Sequence, residues 1–284
     1  MQIEDFRCRH RLTVRWAEVD AQKIVFNAHY MMYADVAVTE YWRQMAMPSE
    51  AAWALLGGEM YVKKADVTYH AAAVMGDVLD IGIRCVRQGT TSLQFECGIF
   101  RGRQLLNTVE LVYVFANAER KPQPLPEAFR QMLTAFESGQ DMVQLQSGSW
   151  NDLGRAAERV RLEVFVREQG VPREIEIDEF DPICRHVVAF NALNQPVATG
   201  RLVSEAPGVG RIGRMAVTRE VRGSKVGRQV LDALMEAAKQ RGDKEVVLHA
   251  QCHAQSFYAR AGFVPEGEIY QEAGIDHITM RKSI

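Results

Sequence analysis

The spacing of apolar residues divides the chain into two stretches of different character. Arg11-Leu-Thr-Val-Arg-Trp16 alternates as a half-buried strand does, and after a polar turn Ala28 to Met45 is long and proline-free enough for a helix. Strand-like runs follow at Tyr61–Tyr69, Val78–Val86, Ser92–Phe100 and Leu105–Phe115, with turns expected at Arg87-Gln-Gly89 and Arg101-Gly102. One long helix and a meander of long antiparallel strands predict an α+β layer pair. Lys121-Pro-Gln-Pro-Leu-Pro126 should end the sheet, because proline has no N–H for a ladder. A short amphipathic helix, Glu127–Phe136, and the polar Ser138-Gly-Gln140 then mark a domain boundary, giving 1–138 and 139–284.

Beyond that boundary, apolar positions at helical spacing predict a helix over Trp150–Gln169. Strands are expected at His186–Asn191, Pro196–Val203 and Gly210–Val217. A turn, Arg219–Lys225, leads into a helix, Val226–Arg241, then a strand, Glu245–Ala250, and a helix, Ala254–Ala261. Strand, glycine-containing turn, helix and strand form a βαβ-like unit, a setting in which phosphates are held. The two halves share no internal repeat.

Composition adds exclusions. The 284 residues are 47% hydrophobic and 25% charged, ordinary globular material, and the net charge of −2 is shared evenly between the halves. Neither half has the basic excess of a generic nucleic-acid binder. No apolar stretch approaches the ~20 residues of a membrane helix, and the start Met-Gln-Ile-Glu-Asp-Phe-Arg lacks the hydrophobic segment of a leader, so a cytoplasmic protein is expected. Cys8, Cys85, Cys97, Cys184 and Cys252 are odd in number and form no Cys-x-x-Cys pair, which points to reduced thiols, neither bridged nor bound to zinc.

Two segments carry candidate chemistry. In Glu18-Val-Asp20-Ala-Gln-Lys-Ile-Val-Phe-Asn27-Ala-His-Tyr30 an acid stands seven residues before an asparagine able to cap the next helix. Backbone N–H groups at such a start can hold an oxyanion, and a carboxylate beside them can act as base or nucleophile on an acyl group. The same spacing also suits a plain turn acid and a plain cap. His29 has the ordinary pKa of a general base but is the weaker candidate, and His10 and His70 are read as ordinary residues. In the second segment, Arg222-Gly-Ser-Lys-Val-Gly227-Arg228, successive N–H groups and a helix start can cradle a pyrophosphate, although a solvated turn has the same composition.

Residues 8–130 resemble the hot-dog fold acyl-CoA thioesterases of the YbgC/FadM type, through the Asp20–Tyr30 segment, Asp77-Val-Leu-Asp-Ile81, Arg87-Gln-Gly-Thr-Thr-Ser-Leu93 and the closing prolines. The resemblance implies that Asp20 is the catalytic carboxylate and that Asn27 lies at the oxyanion-binding helix start. Lys23 replaces a frequent glycine, which should alter the turn, and Ala72 a frequent proline.

Residues 143–282 resemble the GNAT acetyltransferases, in Ile212-Gly-Arg-Met-Ala-Val217, the turn, and Gln251-Cys-His-Ala-Gln-Ser-Phe257-Tyr258-Ala-Arg-Ala-Gly262-Phe263. The opening Val160–Gln169 and the closing Tyr270-Gln-Glu-x-Gly274-Ile-x-His277 are similar to the ElaA-type branch. That resemblance implies CoA binding by Met215, Val217, Arg222, Gly223, Lys225, Gly227, Arg228 and Gln251, with Tyr258 as the acid that protonates the leaving thiolate. Lys225 stands where most members have the middle glycine. Glu168, His186 and His253 are all eligible as base.

The expectation is therefore an α+β protein of two domains: an antiparallel hot-dog sheet wrapped round one long helix, and a GNAT mixed sheet with helices on both faces. The first would hydrolyse acyl-CoA and the second transfer acetyl from acetyl-CoA to an amine, with no metal, no tightly bound cofactor and no nucleic acid. Assembly as a homodimer or homotetramer through the hot-dog domain is implied as well. The competing reading makes one domain a catalytically silent, acyl-CoA-binding regulatory module.

Overall fold

The computed structural model describes residues 1–284, with residue 49 described by its backbone alone. The chain forms two units, Met1–Met142 and Val143–Ile284.

In the first unit β1 (Cys8–Thr13) leads through a pin to α1 (Asn27–Gln44), followed by α2 (Ser49–Leu56), β2 (Glu59–Tyr69), β3 (Val78–Gln88), β4 (Ser92–Arg101), β5 (Gln104–Ala116) and α3 (Glu127–Glu137). The antiparallel sheet has the order β1-β3-β4-β5-β2. Tyr30, Tyr33, Ala34, Ala37, Val38 and Tyr41 recur every three or four residues and bury one stripe of α1. Because Ala34 and Ala37 are small, the sheet approaches closely, and Val109, Leu111, Tyr113 and Phe115 of β5 supply its alternate inward positions. Tyr41 meets Phe95 and Phe136 edge-on, with ring centroids 5.2 Å and 4.7 Å away. The result is the hot-dog arrangement. Arg7 donates to the carbonyls of Phe136 and Gln140, tying the residues after α3 to this unit as far as Met142.

The second unit runs β6 (Val143–Gly148), α4 (Trp150–Arg161), α5 (Arg173–Glu176), β7 (Arg185–Asn191), β8 (Pro196–Ala206), β9 (Val209–Val217), α6 (Val226–Arg241), β10 (Glu245–Gln251), α7 (Gln255–Ala259), β11 (Val264–Glu272) and β12 (Ile275–Ser283). The sheet order is β11-β12-β10-β9-β8-β7-β6; β9 and β10 are parallel, joined by the α6 crossover. Leu153 and Ala157 of α4 pack on Val188. Gly200, across from Val187 and so on the opposite face, approaches Val230 and Leu234 of α6. Helices thus cover both faces, as in GNAT proteins. The helix expected over Trp150–Gln169 is interrupted: after Arg161 the backbone widens into a π-helical turn, Leu162–Glu168.

A buried ionic cluster joins these elements. Arg161, 1% exposed, donates to Glu176 and Asp181, and Arg201 to Asp178 and Asp181, all at 2.6–2.7 Å; Arg214 donates to Asp178 at 3.0 Å. Burial works against the Asp181 and Asp178 charges, but the paired guanidinium groups outweigh it and hold both carboxyls below the usual range. At Glu176 burial wins, and its carboxyl is raised. Among the described residues no helix is long and apolar enough to cross a membrane, and no three His, Cys, Asp or Glu side chains are grouped to hold a metal ion.

Candidate active sites

In the first unit the chain before α1 folds back on itself. Val19 bridges Val25, the Asp20 N–H donates to Ile24 O at 2.9 Å, and the Phe26 N–H donates to Glu18 O at 2.9 Å. Asp20 therefore opens a tight pin whose returning arm runs straight into α1. Lys23 takes φ 64°, the left-handed conformation that glycine adopts without strain. The half-buried Asp20 carboxyl accepts the Gln22 N–H at 2.8 Å. Glu18, buried, accepts from Arg15 and from the Tyr33 hydroxyl at 2.9 Å. Burial opposes its charge, but these hydrogen bonds keep its carboxyl below the usual range.

Asn27 does not cap the helix. Phe26 holds the cap position in extended conformation, and no side chain closes the helix start. The reason is local: the Phe26 N–H is drawn to Glu18 O while its carbonyl takes the His29 N–H at 2.9 Å, so helical geometry begins at Asn27 itself. The N–H groups of Asn27 and Ala28 have no acceptor among the described residues. They form a donor pair at the positive end of α1. The Tyr69 hydroxyl donates to Asn27 O at 3.2 Å, and the Tyr30 hydroxyl accepts the Ala73 N–H at 2.9 Å. Asp20 and Asn27 thus share one pin, at its tip and its exit, with no side-chain hydrogen bond between them among the described residues.

The second unit contains a cavity of about 1030 Å³. It opens where parallel pairing of β9 and β10 stops, after Leu248 and Ile212. Met215, Val217, Arg222, Gly223, Lys225, Gly227, Arg228 and Gln251 all line it, as does Tyr258. Gly223 at φ 85° and Lys225 at φ 70° are left-handed, and the N–H groups of Gly223, Lys225, Val226 and Gly227 have no acceptor among the described residues. They form a concave set of donors at the start of α6. Lys225 thus adopts a conformation that glycine takes without strain. At Gly227 a Cβ would meet Val217 Cγ2 at 3.1 Å, so the helix start lies close against the end of β9.

Arg222 is engaged within the protein: its guanidinium holds both oxygens of Glu168, at 2.6 Å and 2.5 Å, and Val217 O at 3.0 Å. That pairing keeps the Glu168 carboxyl below the usual range, against the effect of burial, which makes it a poor proton acceptor. His186 does not line the cavity; its Nε2 lies 2.9 Å from Asp181 O, its ring is 5.0 Å from Trp150, and burial lowers its pKa. His253 does line it. Gln251 exchanges hydrogen bonds with the Gln169 amide, at 2.9 Å and 3.2 Å. Tyr258 is wedged against Phe257 and Phe263, and burial pushes its phenol up to about 12. Its hydroxyl has no hydrogen-bond partner among the described residues.

Sequence reasoning missed Arg260, which lines the cavity without an acidic partner among the described residues, and the wall formed by Arg211, His249, Glu272 and His277. Arg260 lies two residues after Tyr258; the wall joins four strands, β9 to β12, and no local spacing reveals it.

Residues 14–133 match the family model described as the thioesterase-like superfamily, and residues 155–284 match the acetyltransferase (GNAT) domain. Protein ElaA of Escherichia coli is 36% identical over 132 residues, 44% of this chain and 84% of its own length. The chain is a fusion of a thioesterase-like hot-dog domain with a GNAT acetyltransferase domain. The uncharacterized N-acetyltransferase YjcF of Bacillus subtilis is 38% identical over 124 residues, 43% of this fusion protein and 87% of its own length. Among solved structures, E. coli ElaA aligns with TM-score 0.45 and 33% identity, covering 50% of this chain and 99% of its own. A thioesterase from Thermus thermophilus, complexed with coenzyme A and Zn, aligns with TM-score 0.43 and 27% identity, covering 48% and 97%.

Proposed function

We propose that the fusion protein is a bifunctional CoA-thioester enzyme, hydrolysing acyl-CoA in its first domain and moving acetyl from acetyl-CoA to an amine in its second. The observation that carries this reading is the second-domain cavity, where a concave set of backbone donors, the cations Lys225 and Arg260 and the phenol of Tyr258 meet in one space. Pyrophosphate would lie on the amides of the Gly223–Gly227 turn. The thioester would extend between the parted strands toward Tyr258, whose hydroxyl is protonated at neutral pH and gives its proton to the departing thiolate. In the first domain, Asp20 would serve as base or nucleophile, with the Asn27 and Ala28 N–H groups polarising the acyl carbonyl. Exposed Phe26, Val74 and Met75 suit an apolar acyl chain.

The outer edge of β2, with exposed Tyr61, Val62 and Tyr69, is suited to pairing with a second copy, so the thioesterase would work as a homodimer or a dimer of dimers. The five free cysteines suit a reducing, cytoplasmic setting. Thiol release from a panel of acyl-CoAs, with and without amines, tests the proposal. Amine-independent release reports the first domain and amine-dependent release the second. A domain that binds CoA without releasing thiol is regulatory, and absence of CoA binding refutes the reading altogether.

A further inference from the structure

One face of the sheet beside the cavity carries an ordered row of rings. Gln251 of β10 pairs with His277 of β12, and His277 pairs with Tyr270 of β11; two residues along, on the same face, His249 pairs with Thr279. His277 is 9% exposed and lines the cavity. Its Nδ1 is 2.8 Å from Ile275 O. A carbonyl only accepts, so Nδ1 carries the hydrogen and the lone pair of the neutral ring is on Nε2. Nε2 has no protein partner among the described residues. Tyr270 stacks on the ring, with centroids 6.1 Å apart and planes 25° from parallel, and its hydroxyl lies 2.5 Å from His249 Nδ1.

We propose that His277 is the general base of acyl transfer, that Tyr270 is the positioning residue that fixes its ring, and that the acceptor is an aliphatic amine. The inference rests on reading the second domain as an N-acyltransferase. The other rings are less suited. The hydroxyl partners of His249, Tyr270 and Thr279, can donate or accept, so its tautomer is unfixed, and it faces Arg211 of β9, Glu205 of β8 and Glu272 of β11. His253 has no orienting partner among the described residues, and Glu168 is engaged by Arg222. The class of acceptor follows from the need for a base: an alkylamine is protonated in water and attacks only after losing a proton, whereas a weakly basic amine is already free. His277 Nε2 takes the proton of the bound ammonium and passes it through water to solvent, leaving the free amine. As the N–C bond forms and the C–S bond breaks, the sulfur takes the proton of Tyr258 and the surplus proton of the new amide nitrogen returns through water to Tyr258, so one proton is released per turnover and atoms and charge balance without a co-reactant.

Long-range ¹⁵N NMR of the histidine-labelled full chain reads the tautomer directly. The result expected is a protonated Nδ1 and a bare Nε2 on His277; a protonated Nε2 overturns the proposal by itself. In acetyl transfer from acetyl-CoA to 1,4-diaminobutane, His277→Gln should lower kcat about 10²–10⁴-fold with KM for acetyl-CoA unchanged. The loss should shrink above about pH 9, as free amine accumulates. With hydroxylamine as acceptor, the loss should stay below about tenfold. Tyr270→Leu should give an intermediate loss and a mixed His277 tautomer, whereas Tyr270→Phe keeps the stack and most of the rate. Equal losses with both acceptors, or the whole effect moving to His253→Gln, overturn the assignment. Calorimetry with acetyl-CoA separates the two levels: failure of the wild-type chain to bind it removes the acyltransferase reading, while binding with the wrong tautomer removes only the role of His277.

Discussion

Asp181→Asn is the sharpest test of what holds the second unit together. The carboxylate is fully buried and accepts from Arg161 Nη1 at 2.6 Å and Nη2 at 3.0 Å, from Arg201 Nη1 at 2.7 Å and from the Asp178 N–H at 3.2 Å. The amide has nearly the same shape but removes one of three negative charges facing three guanidinium groups, and turns N–H donors toward N–H donors. Breaking one partner of a buried ion pair costs about 3–5 kcal/mol, a large share of the roughly 5–15 kcal/mol that stabilises a domain. With a urea m-value of about 2 kcal/mol/M, the unfolding midpoint should fall by roughly 2 M. Trp150 reports on this site, since its ring lies 5.6 Å from the Arg161 guanidinium carbon. ¹⁹F NMR of the fluorotryptophan-labelled chain would follow Trp150 separately from the tryptophans of the first unit. The pH dependence has a definite sign. Because the folded Asp178 and Asp181 carboxyls are lowered, their stabilisation is present above the unfolded value near 3.9 and fades as pH drops through the folded one. Glu176, which is raised, acts in the opposite sense. The variant should therefore lose stability less steeply on acidification. A Trp150 midpoint within about 0.5 M of wild type would mean that the cluster contributes little and that the reasoning fails.

Three further outcomes are expected. Asp20→Asn should lower thiol release from acyl-CoA at least about 10²-fold without amine and leave acetyl transfer intact; near-normal hydrolysis would return Asp20 to the role of a turn acid. Tyr258→Phe keeps the packing against Phe257 and Phe263 and should lower kcat for transfer more than KM for acetyl-CoA, an unchanged kcat assigning the ring to packing alone. Val62→Asp, on the exposed edge of β2, should shift the solution mass from dimer to monomer by light scattering and abolish hydrolysis; a fully active monomer would remove the edge from the assembly.

What the sequence made legible was what repeats over short distances. The meander is visible because β5 buries alternate residues, and α1 because its apolar side chains recur at helical spacing. β6 escapes because Val143-Gln-Leu-Gln146 is short, though it alternates, and α2 because Ser49–Leu56 offers a helix signal too brief to stand alone. The π-helical turn cannot be read from spacing, since one extra residue per turn leaves Val164 and Phe165 apolar in either geometry. The ion cluster and the His277 tautomer depend on partners brought together by folding: Arg161 meets Asp181 from 20 residues away and Arg222 meets Glu168 from 54. Resemblance located the turn and Tyr258, yet it left Arg222 looking open when it is bidentate to an acid.

Lys23 and Lys225 share one physical feature. Each stands left-handed in the turn that feeds a long helix, at a cost of roughly 1–2 kcal/mol relative to an ordinary residue conformation. Lys225, at the cap position of α6, also brings a cation to the positive end of a helix, which the helix dipole disfavours. Glycine would remove both penalties, and folding alone gives no reason to keep lysine. At Lys225 an anion at the helix start would offset both: the lysine then faces a negative charge, and the left-handed backbone leaves its N–H open to the same ligand. At Lys225 the free amides of Gly223, Val226 and Gly227 are in place for that. At Lys23 the N–H is already given to Asp20 O at 2.9 Å, and Asn27 and Ala28 lie beyond the returning arm of the pin. The strain at Lys225 is therefore what the proposed seat of the pyrophosphate would offset, whereas the pin at Lys23 is closed within the chain and leaves the donors at the start of α1 to the proposed acyl carbonyl.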